Sequence, residues 1–144
     1  MKDLIEMRII GAVRGLLVGR VNEILSKADY ALPVIEFGDY KSGLTVAPVI
    51  VLSVCEQTEK ERIIRLDAYS LTIALSMPET PEGELYCYAY SGAVGRAVYD
   101  DPTLGGVVDR AMITGRKYIV PKKQNCGEGW QLVISMRVTV ENGQ

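Results

Sequence analysis

Two segments of this chain alternate apolar and polar residues strictly enough to dictate a sheet with one buried face. In the first, Tyr69, Leu71, Ile73, Leu75 and Met77 are interleaved with Ser70, Thr72, Ala74 and Ser76. In the second, Trp130, Leu132, Ile134, Met136, Val138 and Val140 are interleaved with Gln131, Ser135, Arg137, Thr139 and Glu141, and Val133 alone breaks the polar face. Successive side chains of a strand point to opposite faces, so a period of two gathers each apolar set on one side. Leu71, Ile73, Leu75, Leu132, Ile134 and Met136 are therefore expected to share one core.

The cover for that face is found in two helical stretches. From Asp3 to about Ala28, apolar residues recur at steps of three and four: Ile10, Val13, Leu17, Val21, Ile24 and Ala28. The early half is apolar almost all round, more than one buried face requires. Gly11, Gly15 and Gly19 fall at steps of four; we expect them to admit close internal packing, with an intermolecular contact as the alternative. The second stretch, "PETPEGELYCYAYSGAVGRAVYDD", opens with start signals: Thr80 as N-cap, Pro81 at the first helical position, and Glu82 and Glu84 at the positive end of the dipole. Cys87, Tyr90, Ser91, Val94, Ala97 and Val98 form its apolar stripe, which makes Cys87 a small buried residue rather than a nucleophile.

The rest falls into strands and loops. "ALPVIEFG" reads as a short strand, "DYKSGLTVAP" as a polar loop, "VIVLSVCEQ" as a strand and "TEKE" as an exposed charged turn. Asp101 precedes a proline and ends the second helix near Asp100. "PTLGG" is then a tight turn in which Gly105 or Gly106 takes the left-handed conformation, followed by a strand over 107–120 broken near Gly115. A phosphate cradle needs glycines after a strand and before a helix. Here the order is reversed, so the glycine pair is punctuation. The whole order predicts an α+β fold for a single domain, residues 1–144: a mainly antiparallel sheet with two helices packed on one face.

Composition narrows the function. The chain has no histidine among its 144 residues, which removes Cys–His and Ser–His dyads and most zinc chemistry. Its three cysteines stand apart without a CxxC pair and fit reduced thiols of a cytosol. A net charge of −2 argues against nucleic-acid and anionic-membrane partners. Glu6, Arg8 and Arg14 interrupt the apolar N-terminal run, which reads as neither a secretory signal nor a membrane span. The adjacent Asp100 and Asp101 read as turn residues. Glu56, Glu59 and Glu61 lack the regular ligand spacing of a cation loop. No metal, cofactor or catalytic residue is expected, and eight tyrosines suit surfaces that are half apolar and half wet.

The strand "YSLTIALSM", the helix "GELYCYAYSGAVGRAVYDD", the turn and strand "DPTLGGVVDRAMI" and the final strand "WQLVISMRVTV" follow one another in a telling order. With the long first helix and "LPVIEFG" ahead of them, they resemble the tail-terminator and tail-completion proteins of long-tailed bacteriophages and prophages over roughly residues 3 to 140. The resemblance implies a small structural subunit, made in the bacterial host cytoplasm and residing in the virion tail. Such subunits form a ring, typically a hexamer, that caps the tail tube and presents a surface to the head connector. The implied partners are other copies of the chain, the tail tube protein and a connector or neck protein. Two alternatives stay open: another neck or tail component, such as a head-completion protein or tube subunit, and a small cytosolic enzyme or ligand-binding domain.

A ring subunit needs two different contact patches, since a heterologous contact closes only through rotation. The sequence offers the apolar first helix, through Ile5, Ile9 and Leu16. It also offers the loops at 39–47 and 56–62, through Asp39, Tyr40, Lys41, Glu59, Lys60 and Glu61.

Overall fold

In a computed structural model of the chain, which describes residues 4–27, 34–35, 45–60, 64–77, 81–121 and 129–143, the two alternating segments are neighbouring strands. The strands are β1 (Val34–Ile35), β2 (Thr45–Lys60), β3 (Ile64–Ser76), β4 (Arg110–Ile119) and β5 (Gln131–Gly143). They form one sheet in the order β1-β2-β3-β5-β4, antiparallel throughout except for the short β1–β2 pairing. Helix α1 (Ile5–Leu16) runs through a π turn (Leu17–Val21) into α2 (Asn22–Ser26), and α3 (Gly83–Asp100) follows β3. The fold is α+β, with the helices on one face of the sheet.

Register explains the core. Leu71 faces Met136, Ile73 faces Ile134 and Leu75 faces Leu132 across the β3–β5 ladder, and each of the six is at most 1% exposed. The complete α3 stripe from Cys87 to Val98 is buried against this face, as its spacing predicts. On the opposite face Ser70, Thr72 and Ala74 lie across from Arg137, Ser135 and Val133. Val133 is half-buried there.

The N-terminal helix is rotated from its expected setting. Its buried stripe is Ile9, Val13, Leu17, Val21 and Leu25, while Ile10 and Ile24 are half-buried. Those five positions are spaced by four. On a straight α-helix each such step overshoots a full turn by about 40°, so the stripe would wind off the core. The wider π turn takes up the excess. Asn22 stabilises this point: its Nδ2 donates to the Val18 carbonyl at 3.0 Å and to the Ile35 carbonyl at 3.0 Å, while its Oδ1 accepts the Ile35 N–H at 2.9 Å. One amide side chain thus stands in for a strand partner of β1.

The same rotation corrects the glycine reading. Gly11, Gly15 and Gly19 are exposed, and a Cβ on any of them would meet nothing within 4 Å. They are not internal packing sites. Glycine does enable close approach at Gly83, where a Cβ would stand 2.9 Å from the Trp130 indole. The N-cap of α3 is Glu82 rather than Thr80, which lies outside the described residues; Pro81 and Glu82 form a turn ahead of the helix.

Three strand boundaries also differ. β2 begins at Thr45, so the end of "DYKSGLTVAP" is strand. Its Pro48 lies beyond the two rungs shared with β1, where the outer edge of β2 has no partner among the described residues and a missing N–H is tolerated. Thr58 to Lys60 pair with Leu66 to Ile64, which leaves the hairpin connection at 61–63 rather than at "TEKE". Polar rungs of this kind form through the backbone ladder and carry no alternation to betray them. Val107 to Asp109 belong to the turn, and β4 starts at Arg110, with a bulge between Ile113 and Gly115.

That turn is tightly organised. Leu104, Gly105 and Gly106 all have positive φ (50°, 72° and 89°). Asp101 Oδ1 accepts the Gly105 N–H at 3.1 Å, and the Thr103 carbonyl accepts N–H groups from Gly106 and Val108. Leu104 is 4% exposed, and burial of its side chain offsets the strain of a left-handed non-glycine residue.

Candidate assembly interface

The surfaces left after folding separate into two regions toward different edges of the sheet. The first is the outward face of α1, on the β2 side. Leu4 (64% exposed), Met7 (65%) and Val18 (46%) flank the open glycines there. Of the residues expected to make contacts, Ile5 and Leu16 are half-buried and pack on the core. Leu16 lines a shallow cleft of about 280 Å³ between α1 and the Asp101–Gly105 turn. Ile9 is a correction: it is 0% exposed within the subunit and has no surface to offer. A purely α-helical spacing sets Ile9 beside the stripe, whereas the π turn rotates the early half of the helix and brings Ile9 into it.

Asp39, Tyr40, Lys41 and Glu61 lie outside the described residues. Glu59 and Lys60 are placed by their backbone at the end of β2, paired with Arg65 and Ile64.

The second region was not foreseen. A cleft of about 560 Å³ opens between the C-terminal half of α3 and the edge strand β4, lined by Val98, Tyr99, Arg110, Met112, Ile113 and Arg116 among others. Tyr99 is 85% exposed at its rim. The bulge near Thr114 sets the register that brings Arg116 opposite Ile134, on the helix-covered face. There its guanidinium lies over Gly95, 2.6 Å from where a Cβ would stand. A glycine in the C-terminal half of α3 is thus what admits the arginine. Further along, the Tyr118 hydroxyl donates to Ser91 Oγ at 3.0 Å and its ring meets Tyr88 edge-on, with centroids 5.1 Å apart. Tyr88 in turn donates to Glu84, and that bond raises its phenol above the ordinary range.

Groups with chemical potential elsewhere are committed to structure. Asp100 is held by Arg20 at 3.3 Å and Arg96 at 3.7 Å, and Asp101 caps the turn. Burial, with Glu84 nearby, pushes the Cys87 thiol up to about 11, which suppresses the thiolate at neutral pH. Among the described residues no cluster of acidic or cysteine side chains is arranged to hold a metal ion. No helix among them is long and apolar enough to cross a membrane. No protein-family model matches the chain, and no curated protein matches it in sequence.

Proposed function

We propose that this chain is the tail terminator of a long-tailed bacteriophage or prophage: a structural subunit of a ring, hexameric as the resemblance implies. The ring caps the tail tube at its head-proximal end and meets the head connector. The observation that carries the reading is the pair of unlike surfaces toward opposite edges of one sheet, the apolar α1 face near β2 and the arginine-bearing cleft at β4. A closed ring of identical subunits requires two such patches, because each copy presents a different surface to each neighbour. The resemblance of the segments from "YSLTIALSM" to "WQLVISMRVTV" points to this family, and the α+β arrangement is compatible with it.

The test is cosedimentation with tubes assembled from the major tail tube protein of a long-tailed phage or prophage whose genome also encodes this chain. Binding saturating at a small number of copies per tube end supports a terminator. Binding along the whole tube length supports a tube subunit, and no binding refutes a role at the tail.

A further inference from the structure

The α3–β4 cleft is bordered from both faces of β4. Arg110 and Met112 stand opposite Thr139 and Arg137 on the face away from the helices, whereas Ala111, Ile113 and Arg116 stand opposite Val138, Met136 and Ile134 on the helix-covered face. All five line the one cleft. A cleft bordered from both faces of a strand runs along that strand's edge, where backbone groups point outward. β4 is last in the sheet order, and its outer edge has no strand partner among the described residues.

That edge is able to pair. The Ala111 N–H donates to the Pro102 carbonyl at 2.6 Å, so the turn after α3 already fills one position along it. Backbone groups of a strand alternate in direction, and the Ile113 N–H, two residues on, points outward as well.

Charge decides what can pair there. Arg116 and Lys117 are exposed neighbours with no ion pair among the described residues. They point to different faces, Arg116 opposite Ile134 on the α3 side and Lys117 opposite Val133 on the other. Such charges, with the bulge between Ile113 and Gly115, protect an edge from indiscriminate pairing. A second copy's β4 would bring the same cations, and like charges directly opposite destabilise a strand pair. A strand with carboxylates on two successive residues answers both cations at once, because its side chains also alternate between faces. The guanidinium binds such a carboxylate through paired, charge-assisted hydrogen bonds.

We propose that the outer edge of β4 is a docking site for an extended acidic segment of a different protein. The segment adds a strand beyond β4, setting one carboxylate on Arg116 and the next on Lys117, while the backbone ladder supplies the rest of the affinity. This site goes beyond the ring reading and does not depend on it; Tyr99, at the rim of the cleft, remains available to a neighbouring copy.

Fluorescence anisotropy tests it with a blocked, labelled peptide of the length of β4, threonine–valine repeats around a central pair of glutamates. Wild type binds this peptide, and amide exchange at Ile113 slows in the complex. A variant carrying Arg116→Glu and Lys117→Glu binds about tenfold or more weakly, and a peptide with a central pair of lysines restores its affinity. The original peptide N-methylated through its central residues keeps its charges but loses the ladder bonds, and it too binds about tenfold or more weakly. Far-UV circular dichroism checks folding, and Arg116→Gln with Lys117→Gln replaces the variant if it fails; this pair must also weaken binding. No binding up to about 1 mM, binding indifferent to the substitutions, or binding that survives N-methylation each overturn the proposal. A wild type whose Ile113 amide is protected by raising its own concentration, and not by the peptide, would make a second copy the occupant and overturn it as well.

Discussion

Replacing Asn22 with alanine removes three hydrogen bonds, two across the seam between the N-terminal helix and β1 and one within the helix. Two of them, at 2.9 and 3.0 Å, satisfy the Ile35 N–H and C=O. The Ile35 side chain is fully buried and these bonds are part-buried, so water replaces them incompletely. An unsatisfied buried backbone group costs about 1–3 kcal/mol. Two partly accessible groups place the loss at about 2–4 kcal/mol, with the more exposed Val18 bond adding little. Urea denaturation should show a lower midpoint at unchanged slope, and amide exchange at Ile35 should accelerate. Asn22→Asp keeps the acceptor for the Ile35 N–H but turns a carboxylate toward two carbonyls, so it should recover little of the loss. A loss below about 0.5 kcal/mol, the range of an ordinary surface substitution, or an aspartate variant as stable as wild type, would refute the idea that this side chain serves as a strand surrogate.

Other consequences are equally direct. Ile73→Ala or Ile134→Ala should cost about 2–5 kcal/mol in denaturant melts, because both face each other in the core. Gly11→Ala and Gly15→Ala should each raise the stability of the isolated subunit by up to about 1 kcal/mol, since nothing crowds a new methyl there; destabilisation would return them to packing positions. Gly106→Val should lower the melting temperature, because φ of 89° strains a β-branched residue. The Cys87 thiol is lifted from its ordinary 9.0 to about 11, so the folded state holds its proton after the unfolded state releases it. Its contribution to stability is full below pH 9 and is lost as pH rises from 9 through 11; a Cys87→Ala variant should show a shallower decline over that window.

The parts legible in the sequence were those where burial imposes a period. The strands around Ile73 and Ile134 and the α3 stripe followed directly, because a covered face is filled mostly by apolar residues at a fixed period. The Gly105–Gly106 turn was legible from residues that tolerate positive φ. The misplacement of Ile9 came from a π turn, which changes the angular step without leaving a local signature. The hairpin rungs from Thr58 to Lys60 were missed because backbone ladders hold polar residues as readily as apolar ones. The α3–β4 cleft was invisible for a third reason: it exists through a bulge at Thr114 and a space over Gly95, and both are properties of register between distant segments.

Electron microscopy of tail tubes assembled with and without the purified chain tests the central claim most directly. A ring terminator predicts added density confined to one end of each tube, resolving into a closed ring in end-on views, together with a narrowed length distribution. Tubes whose ends and lengths are identical with and without the chain would contradict it.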